Sequence, residues 1–245
     1  IKRMLSCTLV SHIGYMLFGI GVASELGLSS AIFYIAHHIT VQTALFLISG
    51  LIERVGGSTV IDRLGGLAAT SPVLAILFFV PAMNLAGIPP FSGFVGKVGL
   101  LQAGAADGGA VAWTLVVGSV VTSLLTLYAV AKTWSYAFWR PRAEEGAEHT
   151  LEMPMLTPSF GRLSDAIGAV VAHERPATPI APPPAAPQVE RPMPPLMLGA
   201  ATAVVVFSLG LSLFAGPLIT YTDAAARQMI TRDGYVKAVL PQEGP

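Results

Sequence analysis

Charge is what this sequence has least of. Its 245 residues include 14 Lys+Arg and 14 Asp+Glu, so 11% are charged and the formal net charge is +0, where a soluble domain carries about 25%. So few charges cannot coat a water-facing surface of this size. Their balance, with a pI near 7.2, excludes a nucleic-acid binder, whose footprint is a basic face. Cysteine is nearly absent too, and the single Cys7 excludes an intramolecular disulfide and any cysteine-rich metal or iron–sulfur site. The chain has no Walker loop, dinucleotide glycine fingerprint or nucleophile elbow, so ATP-driven transport and hydrolysis lack residues within it. It opens on Ile1 rather than Met, which reads as a fragment or a processed product. The apolar run from Met4 to Ser24 is longer than the 7–15-residue core of a secretory signal, which argues against that reading of the start.

What is present is apolar: 53% of the residues are hydrophobic and the mean hydropathy is +0.66. A helix needs about 20 mostly apolar residues to cross a bilayer. Windows of that order fall at 4–24, 29–52, 68–88, 91–106, 110–139 and 196–220, without the alternation of barrel strands. The expected fold is therefore all-α, a polytopic transmembrane helical bundle of about six spans in a cell membrane. Window 91–106 is short and is fenced by Gly87-Ile88-Pro89-Pro90 before it and Gly104 to Gly109 after it. It reads as a broken helix, or else as an ordinary span behind a tight loop. Proline removes a donor and glycine relaxes the backbone, so the fences free carbonyls that need partners from protein or water.

Residues 140–195 hold 12 of the 19 prolines and half of the acidic residues. This stretch reads as an extramembrane linker, extended around ATPIAPPPAAP, with a short surface helix near Ser164 to His173. The expected organisation is thus a transmembrane core over 1–139, the linker over 140–195, a final span over 196–220 and an interfacial tail over 221–245, helical from Asp223 to Arg232. Lys2, Arg3, Arg54 and Arg63 share one side of the membrane and Arg140 and Arg142 the other, which mildly favours a cytoplasmic location for the chain ends.

The six windows contain two formal charges, Lys97 and Lys132. A charged residue at the centre of a span costs on the order of 3 kcal/mol, so such residues usually face a polar interior. Lys97 lies near the middle of the short window, where it reaches neither surface easily and can act as a proton carrier. A shallower window would make it an ordinary surface lysine. Lys132 stands beside Trp134, Tyr136 and Trp139, an interfacial belt toward which its stem can carry the ammonium, so snorkelling competes with a buried role. The second window holds FYIAHHITVQTALF. In a helix His38 and Gln42 share one face, while His37 aligns with Thr40. Histidine changes charge near neutral pH and relays protons between waters. It can equally glue helices through neutral hydrogen bonds. A catalytic zinc needs three protein ligands, and no intramembrane carboxylate or thiol accompanies these histidines, so neither a metal nor a cofactor is expected. His12, in SHIGY, extends the relay or packs against Gly14.

KRMLSCTLVSHIGYM, AHHITVQTALFLISGLIE and, most specifically, NLAGIPPFSGFVGKVGLLQAG resemble the proton-conducting antiporter-like subunits shared by respiratory complex I and the Mrp-type multisubunit cation/proton antiporters. The paired His37-His38 and the closing DGYVKAVL favour the D-type antiporter subunits over the complex I relatives. In that family such a subunit has about fourteen helices in two inverted halves, and this chain resembles the second half. The resemblance implies that Lys97 is the lysine of the second half's broken helix and that His38 is the histidine of an H-x-x-x-K motif whose lysine is here Gln42. Glutamine cannot carry a proton charge, so the relay would pass through the histidines and water. The family also implies chain ends outside the cell, opposite to the charge reading. Implied partners are other membrane subunits, protons, Na+ or another monovalent cation, and the lipid bilayer. The rival functions are a proton-pumping complex I membrane subunit and a structural membrane anchor.

Overall fold

A computed structural model describes residues 1–141, 193–231 and Val239; all belong to one compact unit. The expected linker, the surface helix near Ser164 to His173 and the DGYVKAVL motif lie wholly or largely outside the described residues. Among the described residues the fold is all-α. Helix α1 spans Lys2–Gly21, α2 Glu25–Gly56, the short α3 Leu67–Thr70, α4 Pro72–Ala86, α5 Ser92–Asp107 and α6 Ala110–Trp134, which continues through a wider turn at Ser135–Trp139. After the undescribed stretch come α7, Pro195–Leu213, and α8, Ala215–Thr231. Four of these helices are long and apolar enough to cross a membrane: α1, α2, α6 with its extension, and α7. Helices α4 and α5 have 15 and 16 residues, short of the roughly 20 needed for a full crossing.

Helix α2 is the axis of the bundle and packs against α1, α4, α5, α7 and α8. Its ends are well specified. Ser24 caps the start by accepting from the Gly27 N–H at 3.0 Å, and Gly57, left-handed at φ 73°, donates to Glu53 O at the end. Glu25 in the first turn and Arg54 in the last suit the helix dipole. Its inner face buries Val41, Leu45, Ile48, Leu51 and Ile52 against Leu5, Leu74, Phe78 and Phe138. Helix α6 leaves Val117, Leu124, Leu125 and Tyr128 exposed, a face with the composition of a lipid or subunit contact.

The apolar window at 196–220 does not form one helix. Helix α7 ends at Leu213 and α8 begins at Ala215. Pro217 is the cause: it lacks the N–H that a continuous helix would direct to the Leu213 carbonyl, yet it is tolerated in the first turn of a new helix. The expected tail helix at Asp223–Arg232 falls, as far as Thr231, in the second half of α8, and Arg232 lies outside the described residues. Its buried Ala215, Thr222 and Ala226 lie close to one face, and Ser29 Oγ meets Thr222 Oγ1 at 2.9 Å, tying α8 to the start of α2.

Among the described residues the ion pairs are Lys2–Glu53 and Glu25–Arg227. The side chains of Lys2 and Glu53 are 50% and 48% exposed, and exposed pairs contribute little. A double-mutant cycle on this pair is expected to return a coupling of about 0.5 kcal/mol; a value several times larger would show that this end of α2 is shielded from solvent.

Candidate functional site

Two adjacent prolines create the site. In an α-helix each carbonyl accepts from the N–H four residues on. Four residues after Leu85 and Ala86 stand Pro89 and Pro90, which have no N–H to give. Both carbonyls belong to buried residues, where water is scarce. Lys97, in the second turn of α5, supplies the donors: its Nζ donates to Leu85 O at 3.2 Å and to Ala86 O at 3.0 Å. A cation also suits the negative C-terminal end of α4. Gly87 permits the approach. Its φ is +84°, and a Cβ there would lie 2.9 Å from Lys97 Cδ and 3.1 Å from Nζ. Lys97 is 5% exposed and belongs to neither ion pair described above. The Tyr15 ring lies 5.4 Å from Nζ, within cation–π range.

Beyond Tyr15 the polar residues of α1 and α2 form one cluster. His12 Nδ1 and Tyr34 Oη are hydrogen-bonded at 2.6 Å. The rings of His12 and His38 stack at 4.8 Å with an interplanar angle of 20°. Tyr15 packs on Tyr34 at 5.5 Å, and Tyr34 on His37 at 5.4 Å. The hydroxyl of Tyr15 donates to Ser119 O and meets Ser123 Oγ at 2.7 Å, which anchors the cluster to α6. His12, His37 and His38 are all buried, at 0%, 1% and 4% exposure. Among the described residues the Nε2 of each has no hydrogen-bond partner, so each is placed to bind a water.

A second polar link joins the two sides of the α4–α5 break. His37 Nδ1 and Ser92 Oγ are hydrogen-bonded at 2.9 Å, Ser92 Oγ donates to Asn84 Oδ1 at 3.3 Å, and the same oxygen accepts from Gly93 N–H at 2.9 Å. Ser92 N–H donates to Ser212 Oγ on α7 at 2.9 Å. The first N–H groups of α5, which no residue of its own caps, thus find side-chain acceptors on α4 and α7.

Of the residues singled out in the sequence, Lys97, His12, His37 and His38 converge. Gln42 is one turn further along α2, where its Nε2 donates to Leu5 O at 2.8 Å and clamps α2 to α1. His38 and Gln42 together border a mostly apolar groove of about 620 Å³ between α1 and α2. Lys132 stays apart. It is exposed, its Nζ lies 5.8 Å from the Tyr136 ring centroid, and it sits about 14 Å of helix rise beyond Ser123. Four residues of the arrangement were not singled out in the sequence: Tyr15, Tyr34, Asn84 and Ser92. Tyr34 stood three and four residues before His37 and His38, a helical-face spacing that was available as a signal. Asn84 and Ser92 flank the proline break, and nothing local announces that they meet.

Comparisons with known proteins bear on the family and the fold of the chain. The family model described as NADH:quinone oxidoreductase/Mrp antiporter, TM, matches residues 1–126. The D subunit of the Na(+)/H(+) antiporter of Alkalihalophilus pseudofirmus is 43% identical over 138 residues, 56% of this chain and 27% of that protein. The D subunit of the Na(+)/H(+) antiporter of Bacillus subtilis is 34% identical over 144 residues, 59% of this chain and 29% of that protein. The chain therefore spans little more than a quarter of the length of these relatives. In the structure of the Mrp complex from Dietzia sp. DQ12-45-1b, one chain superposes with a TM-score of 0.72 at 34% identity, covering 96% of this chain and 44% of that one. A chain of respiratory complex I from Thermus thermophilus shares the fold with a TM-score of 0.57 at 23% identity, covering 90% of this chain and 39% of that one. With its apolar helices, its proline-broken α4–α5 segment and a family match over residues 1–126, this multi-pass membrane chain belongs to the NADH:quinone oxidoreductase/Mrp antiporter transmembrane family.

Proposed function

We propose that the chain forms a proton-conducting part of a membrane subunit in a multisubunit Na+/H+ antiporter, with Lys97, His37 and His38 passing protons while partner membrane subunits complete the exchange. The observation that carries this reading is the buried Lys97 ammonium. It is held by two backbone carbonyls and is in no ion pair with a carboxylate among the described residues, so it can give up its proton there without breaking a salt bridge. Tyr15, Tyr34 and His12 connect that amine to His37 and His38 through ring contacts of 5 to 6 Å. His12 and Tyr34 are joined directly by their 2.6 Å hydrogen bond, and the remaining steps suit waters at the three Nε2 atoms that have no partner among the described residues. Gln42 holds the helices together, and Lys132 lies outside the relay.

The test uses the assembled complex in proteoliposomes, with lumenal pH recorded after an imposed Na+ gradient. The double variant His37→Gln, His38→Gln is expected to lower Na+-dependent proton movement by about 100-fold while the subunit stays assembled. Full exchange by that variant would reduce the histidines to helix glue, and co-purification with quinone-reducing partners would point to the complex I branch of the family.

A further inference from the structure

Counting protons around Ser92 assigns the tautomer of His37. Asn84 Oδ1 accepts the backbone N–H of Gly93 at 2.9 Å. An amide nitrogen cannot accept from an N–H, so the orientation of the Asn84 side chain is set. That same oxygen accepts the Ser92 hydroxyl at 3.3 Å. A serine hydroxyl has one proton. Once it is directed to Asn84, only lone pairs remain for His37 Nδ1, 2.9 Å away. With the hydroxyl proton on the Asn84 side, the ring is the donor, which places a proton on Nδ1. In the neutral imidazole the other nitrogen, Nε2, is then the bare acceptor. It is buried, has no hydrogen-bond partner among the described residues, and packs beside Gly93, where a Cβ would lie 3.0 Å from it. The backbone that carries the Ser92 hydroxyl is itself held, its N–H donating to Ser212 Oγ and Ser212 in turn donating to Ser208 O at 3.2 Å.

We infer that Asn84 and Ser92 are positioning residues that hold His37 in the Nδ1–H tautomer, making Nε2 the single atom through which His37 takes up and releases a proton. This rests on the proposed role of His37 as a proton carrier. The balance of the step is simple. A proton from a neighbouring water chain bonds to the Nε2 lone pair, the ring becomes an imidazolium with both nitrogens donating, and the same N–H bond breaks when the proton returns to a water. The Nδ1 side is a dead end: beyond Ser92 stands the Asn84 oxygen, which has no proton to pass on and no ready way to hold one. His37 accordingly passes its proton through one nitrogen, taking it up and releasing it at Nε2, rather than admitting it at one nitrogen and releasing it at the other.

The experiment is ¹⁵N NMR of the intact subunit, assembled in lipid nanodiscs with ¹⁵N-labelled histidine, the His37 signals being identified by their loss in His37→Gln. The unmutated protein at mildly alkaline pH is expected to show a protonated Nδ1 and a bare Nε2 at His37. Asn84→Leu removes the acceptor, frees the Ser92 hydroxyl to donate to Nδ1, and moves the ring proton to Nε2; Na+-dependent proton movement falls by about 10- to 100-fold, the usual loss when an outer orienting partner is removed. Asn84 also helps cap α5, so the decisive pair is at Ser92, where the backbone bond from Gly93 to Asn84 survives. Ser92→Ala releases the tautomer and slows exchange, and Ser92→Thr, which keeps the hydroxyl, recovers both relative to it. A proton on Nε2 in the unmutated protein overturns the assignment. Equal rates in Ser92→Ala and Ser92→Thr overturn the positioning role and leave the proposed function standing, whereas full-rate exchange in His37→Gln counts against the proposed function itself.

Discussion

Lys97→Arg is expected to abolish cation-dependent proton exchange, lowering the rate by about 100-fold or more, while the protein still assembles. The geometry is what makes this substitution informative. Arginine keeps a positive charge at the C-terminal end of α4 and offers more donors than lysine to the Leu85 and Ala86 carbonyls, so the hydrogen bonds at 3.2 and 3.0 Å have a replacement. What it lacks is the ability to release a proton. Lys97→Ala is expected to stop exchange as well and, in addition, to leave two buried carbonyls unpaired, each loss costing about 1–3 kcal/mol of stability. Thermal denaturation of the assembled complex separates the two variants, since only alanine lowers the melting temperature through those carbonyls. If the arginine variant exchanged Na+ for protons at the unmutated rate across about pH 7 to 9, Lys97 would be a fixed clamp for the broken helix. The scaffold reading of the polar residues would then gain.

Gly93→Ala is expected to be the most damaging single methyl addition in the described part of the chain. A Cβ at Gly93 would overlap the backbone oxygen of Asn84 and lie 2.9 Å from His37 Cε1. The first obstacle is main chain and cannot rotate away, so α4 and α5 must separate and the Gly93 N–H to Asn84 Oδ1 bond of 2.9 Å must stretch. Overpacking of this kind costs about 3 kcal/mol, read as a lower melting temperature and less assembled complex. The control is Gly118→Ala in the middle of α6, where a Cβ meets nothing within 4 Å. There the better helix propensity of alanine is expected to leave stability unchanged or raise it by about 0.5–1 kcal/mol. Equal melting temperatures for the two variants would contradict the close approach of α4 and α5 at Gly93.

The sequence by itself determined the membrane class, through the scarcity of charge and the length of the apolar windows, because hydropathy is a local property that no packing can reverse. It also indicated that the Pro89-Pro90 fence would free carbonyls in need of partners, and it marked Lys97 as the odd charge beside that break; the helix through Ala86 identifies those carbonyls as Leu85 and Ala86. Only the tertiary structure decided that the partner of both carbonyls is Lys97, that Lys132 lies on the outer surface, and that His12, Tyr15 and Tyr34 stand between Lys97 and the paired histidines of α2. It alone brought Asn84 and Ser92 together across the break to meet His37. The physical reason is the range of the two kinds of rule. Spacings of three and four residues order side chains along one helix, whereas contacts between α1, α2, α4 and α5 depend on how close the helices come. For α4 and α5 that closeness is set at Gly93, where the absence of a side chain lets the backbone lie against that of Asn84, and at Gly87, where it admits the Lys97 side chain.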